Sequence, residues 1–207
     1  MRMFKRLAVT AAAAGMLLGG VAGVASTASA STLHPSSVTR ITGGQTTLTT
    51  APGIAAALLG HGIVPLATLP ATEGVAVYKS GVAVKFAFPV TGGKVDLKAL
   101  TGWWGHNGGI EFLDPATGKE ITVSNFVIHL QTGTLSAIVD GNPKARVPLL
   151  TLSLATAKIA AGTHYVKVTG IVARLTKTAA SALDATFGTT LFTPGLELGT
   201  AGTLLRF

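Results

Sequence analysis

Between residues 82 and 90 the chain reads VAVKFAFPV, with Val82, Val84, Phe86 and Phe88 at every second position and Ala83, Lys85 and Ala87 between them. A side-chain period of two is that of a strand with one face buried. The same alternation runs through EITVSNFVIHLQ, TLSAIVDG, VPLLTLSLA and THYVKVTGIVARL. Turn-forming residues separate these runs at Asp114-Pro115-Ala116-Thr117-Gly118, Thr132-Gly133, Asp140-Gly141-Asn142-Pro143 and Ala161-Gly162. Connections this short join antiparallel neighbours. The expected core comprises Val82, Val84, Phe86, Phe88, Phe126, Ile128, Leu150, Leu152, Val166, Val168 and Leu183.

Two segments depart from this period. TTAPGIAAALLGHG offers Thr50 as N-cap, Pro52 in the first turn and Gly60 as a stop; TKTAASALDATFG offers Thr176 or Thr178 as N-cap and Gly188 as a stop. The spacing predicts a short helix in each. Their surroundings are alike, but two imperfect copies fall short of a repeat array. The expected fold is mostly β, an antiparallel β-sandwich or wrapped sheet with two short helices at its ends or edges.

The N-terminal residues change the picture of where the protein works. Arg2, Lys5 and Arg6 precede an apolar run from Leu7 to Ala25 and a small-residue exit at Ala28-Ser29-Ala30, the pattern of a cleaved secretory signal. Residues 1–30 are expected to be that signal, 31–44 a flexible polar leader, and 45–207 a single domain. No transmembrane segment is expected after cleavage. The final AGTLLRF carries no sorting motif, so release or loose association with the cell wall is expected. Removing the three basic residues lowers the net charge from +8 to +5. The remaining Lys and Arg are scattered without interleaved aromatics, which excludes a nucleic-acid groove and leaves only generic attraction to anionic wall polymers. Cysteine is absent, so core packing must hold the fold without disulfides.

Catalytic patterns are missing. There is no G-x-S-x-G elbow, no S-x-x-K and no cysteine nucleophile, and the eight acidic residues suggest no catalytic pair. The five histidines never approach metal-ligand spacing, and no glycine run fits a phosphate loop. The chain is expected not to be an enzyme and to need no metal or cofactor of its own.

What remains is TGWWGHNGGIEF, residues 101–112. Its glycines and Asn107 suit a tight turn or bulge, with Trp103 or Trp104 covering a core edge. Equally, His106 between small neighbours can be approached by a flat ligand. The sequence leaves both readings open.

These motifs resemble the HtaA-type domains of secreted haem-uptake proteins in actinobacteria. The matching elements are the short helix ending in glycine (GIAAALLGHGIV), the F-x-F-P…GG stretch from Phe86 to Gly93, and G-H-x-G from Gly105 through to Phe112. They continue with Asp114-Pro115, L-x-A-x-V from Leu135 to Val139, and the stretch from Leu175 to Gly195. The resemblance implies a β-rich domain whose haem sits against the helix and neighbouring loops, its iron held by a helix tyrosine assisted by a histidine. Here the expected helix, Ala51 to Leu59, holds no tyrosine. His106 matches the motif histidine, and Tyr78 or His61 stands nearest as a substitute. The ligand-binding candidates are therefore His106, Trp103, Trp104, Asn107, Tyr78 and His61, with His106 or Tyr78 as iron ligand if haem binds. The expected function is that of a secreted, surface or wall-associated binding or structural protein; the alternative is a carrier of haem or another flat hydrophobic ligand.

Overall fold

The computed structural model describes residues 38–79 and 81–207. Of these, 63% lie in strands, and thirteen strands form one antiparallel sheet. They are β1 (Val38–Ile41), β2 (Gly43–Thr50), β3 (Val64–Thr68), β4 (Thr72–Tyr78), β5 (Gly81–Asp96), β6 (Thr101–His106), β7 (Gly109–Asp114), β8 (Lys119–His129), β9 (Thr134–Val139), β10 (Asn142–Ser153), β11 (Lys158–Gly162), β12 (Tyr165–Leu175) and β13 (Glu197–Arg206). Helix α1 (Ile54–Gly60) joins β2 to β3, and α2 (Lys177–Phe187) joins β12 to β13.

The sheet closes on itself. Its ring runs β5-β2-β13-β12-β10-β9-β8-β6 and returns to β5, because β6 pairs with β8 through Trp103 to Gly105 and with β5 through Thr101 to His106. The fold is thus an eight-stranded barrel with added strands rather than a sandwich. Closure removes the free edges that an open sheet would expose. Local hairpins behave as their turns dictate. Asp140 and Gly141, both at positive φ (48° and 68°), form the two-residue connection between β9 and β10, where Val139 faces Asn142.

The barrel interior is filled in three zones. Leu58 of α1 and Ala179, Ala180 and Leu183 of α2 pack with Ile121, Leu150, Leu175 and Phe192. Phe86, Phe88, Phe126, Ile110 and Val123 form the middle, where the Phe88 and Phe126 rings meet edge-on at 5.0 Å. Ile41, Val90, Val95, Trp104, Ile128 and Leu205 fill the far zone. Leu135 packs against all three.

Several expectations change. Val38–Ile41 and Gly43–Gly44, assigned to the leader, are strand: β1 pairs with Gly93 to Asp96 of β5 and buries Ile41 completely. The expected signal at 1–30 and the rest of the leader, 31–37, lie outside the described residues. Thr50 does not cap α1. Its hydroxyl accepts from the Val84 N–H at 3.0 Å, and Gly53, in the left-handed region at φ 86°, starts the helix instead. Thr176 does cap α2, accepting from the Ala179 N–H at 3.2 Å, and Gly188 ends it at φ 66°. Val82 is 52% exposed, because the hairpin of β4 and β5 runs beyond the packed interior. No helix of the described residues is long and apolar enough to cross a membrane.

Candidate functional site

The stretch TGWWGHNGGIEF is the closing strand of the barrel, the turn that follows and the strand β7. Alternation along β6 sends Trp104 and His106 inward, and Trp103 outward. Glycine is needed where chains crowd. A Cβ on Gly109 would run into the Val123 carbonyl oxygen and sit 2.8 Å from the Ser124 Cβ, and one on Gly108, at φ 80°, would strike Ala71 and the Thr68 carbonyl oxygen. Packing thus requires the second glycine of the G-H-x-G pattern, Gly108, and the Gly109 that follows it.

His106 sits at the centre of a buried polar chain. Its Nδ1 lies 3.1 Å from the carbonyl oxygen of Phe126 on β8, and its Nε2 lies 2.7 Å from the hydroxyl of Thr46 on β2. A carbonyl can only accept, so Nδ1 carries the proton and Nε2 receives the Thr46 hydroxyl. The Thr46 oxygen is in turn 2.8 Å from that of Thr203 on β13, which then donates to it. All three side chains are buried. The network ties the closing strand to three others across the interior. Burial lowers the His106 pKa from 6.5 to about 4, opposed in part by the hydrogen bond to Phe126, so the ring is neutral at ordinary pH.

The six predicted residues do not converge. Trp104 is 4% exposed in the far core, and its Nε1–H has no hydrogen-bond partner among the described residues. Trp103, 42% exposed, borders a shallow outer depression with Val38, Arg40, Gly93 and Lys94. Asn107 is exposed in the turn, where its N–H donates to the Pro89 carbonyl. His61 follows α1 and is exposed, its Nδ1 3.4 Å from the Thr189 hydroxyl. Tyr78 ends β4 and lines an outer cleft that includes none of the other five. Sequence reasoning missed Thr46 and Thr203, whose threonines read as ordinary strand residues.

These residues do not fit haem at His106. The Nε2 that would face an iron accepts from Thr46 inside the barrel, although the Nδ1–H bond to the Phe126 carbonyl is one that a ligating histidine keeps. The apolar cavity in the packed interior, between Phe88, Phe126 and Leu183, measures about 50 Å³, against the roughly 300 Å³ or more of a small-molecule pocket. Helix α1 presents only Ile, Ala, Leu and Gly. No group of three His, Cys, Asp or Glu side chains able to hold a metal ion occurs among the described residues.

No family model matches the sequence, and no curated protein matches it. Solved structures do. The C-terminal domain of HtaA from Corynebacterium glutamicum aligns with a TM-score of 0.54 and 18% identity, over 81% of this chain and 98% of that domain. The chain has the HtaA C-terminal fold. A domain-swapped dimer of a histidine-to-alanine variant of that HtaA domain aligns with a TM-score of 0.48 and 19% identity, over 75% of this chain and 93% of its own. The likeness to HtaA concerns the path of the backbone, and the divergence in sequence leaves the chemistry of the site to be argued from this chain's own residues.

Proposed function

We propose that this protein is a secreted, non-enzymatic member of the HtaA-type scaffold, associated with the cell surface or wall, with a binding or structural role. The observation that carries this reading is the engagement of His106. The residue that would be offered to a ligand instead donates to the Phe126 carbonyl and accepts from Thr46, and so serves barrel closure. The apolar run from Leu7 to Ala25 behind Arg2, Lys5 and Arg6 supports export, and the scattered basic charge suits loose contact with anionic wall polymers. The chain's composition offers neither a nucleophile with a base nor a carboxylate pair.

The competing reading, a carrier of haem or another flat hydrophobic ligand, is favoured by the fold and by the histidine of the G-H-x-G motif. It requires His106 to give up Thr46 at Nε2 while keeping the Phe126 carbonyl at Nδ1, or Tyr78 or His61 to bind from the surface. Hemin titration of the purified protein separates the two. No stoichiometric Soret shift is expected. A saturable shift at one equivalent, abolished by His106→Ala in a protein that still folds, would refute the structural role.

A further inference from the structure

We infer that the outer cleft beside Tyr78 binds a neutral saccharide segment. This rests on the surface-associated role proposed above and concerns a different part of the molecule from His106. The cleft measures about 440 Å³ and lies on the outer face of β2, β13 and β12, walled by the end of the β4–β5 hairpin. That volume falls within the range of small-ligand sites, whereas the internal cavity does not.

Its chemistry follows from strand register. On β2 the inward positions are Thr46, Leu48 and Thr50, so Thr47 and Thr49 face out. Thr49 stands beside Thr200 of β13, and Thr47 beside Gly202. Gly202 keeps the floor free of a side chain: a Cβ there would lie 3.3 Å from the Val168 carbonyl oxygen and 3.7 Å from both Thr47 Oγ1 and Thr169 Cγ2. Four threonines therefore surround a bare stretch of backbone. Thr47 makes only a long contact of 3.4 Å to the Gly202 carbonyl, while the hydroxyls of Thr49, Thr169 and Thr200 have no protein partner among the described residues. Each can both donate and accept.

The remaining walls narrow the ligand class. Tyr78, 52% exposed, offers an aromatic face and a phenol at one side. Glu197 stands at the other, with Oε2 held by Arg174 at 2.6 Å and Oε1 free to accept. Among the described residues that line the cleft Glu197 is the charged one and it is already paired, while Lys85 and Lys158, opposite Thr49 and Thr169 in register, stand outside that lining. An aromatic wall for C–H faces, an array of unpaired hydroxyls and one acceptor suit a ligand that is itself hydroxyl-rich and uncharged.

The test is titration of the purified protein, followed by amide and methyl NMR, with tetraoses of N-acetylglucosamine, glucose, galactose and arabinose up to about 10 mM. At least one is expected to shift resonances of Thr49, Thr169 and Thr200 in a saturable way. Thr49→Val with Thr200→Val, which removes two hydroxyls at nearly constant shape, is expected to weaken that binding roughly ten-fold while the remaining spectrum stays native. Tyr78→Ala is expected to do the same. Silence with all four sugars, or binding indifferent to these variants, overturns the inference. Cell fractionation reports separately on the surface role: a protein found in the wall fraction but silent toward sugars would sink the cleft assignment alone.

Discussion

Folding excludes the proton from His106, and this has a measurable signature. The imidazole is lowered from 6.5 to about 4 by burial. The unfolded chain therefore binds a proton that the folded one refuses in the interval between those values. Stability from this source is complete above the unfolded value and is lost as pH falls toward the folded one. A tenfold difference in proton affinity between the folded and unfolded chains is worth about 1.4 kcal/mol, so the loss relative to neutral pH is on the order of 2 kcal/mol at about pH 5 and 3 kcal/mol near pH 4. Urea unfolding of the wild type and His106→Gln at about pH 7 and about pH 5 isolates it. The variant has no titrating ring and is expected to be less stable at neutral pH by about 1–2 kcal/mol, from lost hydrogen bonds. The gap between the two proteins should then shrink or reverse by about 2 kcal/mol at the lower pH. Asp114, whose carboxyl is held below its ordinary value by the Thr117 hydroxyl, also loses stability toward acid, but does so equally in both proteins and cancels. A gap constant to within about 0.5 kcal/mol would mean that His106 is not the buried neutral residue described here.

Gly109→Ala should destabilise the protein far more than Gly118→Ala, whose Cβ would enter open space at the cost of a positive φ, about 1 kcal/mol; equal midpoints in denaturant would contradict the crowding at β7 and β8. Trp103→Phe leaves Trp104 as the sole tryptophan, and its emission should be blue-shifted and resistant to acrylamide, whereas Trp104→Phe should give red-shifted, readily quenched emission. Identical quenching in the two variants would put both indoles on one side of β6. Phe86→Ala should cost about 3–5 kcal/mol in chemical unfolding, since its side chain lies in the middle of the core; a change within experimental error would misplace that face of β5.

The sequence revealed what adjacent residues decide. The alternation of Phe86 and Phe88, the Asp140-Gly141 turn and the Thr176 cap are all local signals, and each has the expected structure. Barrel closure was not legible, because β6 reaches β8 across a separation that no hairpin records, and its GWWGH reads as a tight turn or bulge. The strands β2 and β13 were hidden for a related reason. Their inward positions include Thr46, Thr50 and Thr203, so polar residues interrupt the apolar period that marks a buried face. Thr46 and Thr203 are inside because they meet each other and, through Thr46, His106, and Thr50 because it accepts from the Val84 N–H, pairings visible only once the chain is folded. The candidate site misled in the same way. Trp103, Trp104, His106 and Asn107 are close in sequence, but strand alternation and the following turn place them in different surroundings.

The ladder between β2 and β13 runs from Gly43 opposite Arg206 to Thr50 opposite Gly199. One wall of the barrel is thus made by the earliest and the latest parts of its ring, and it cannot seal while those final residues are still emerging from the ribosome. Such long-range pairing slows folding. The barrel therefore stays open along this seam until β13 is in place.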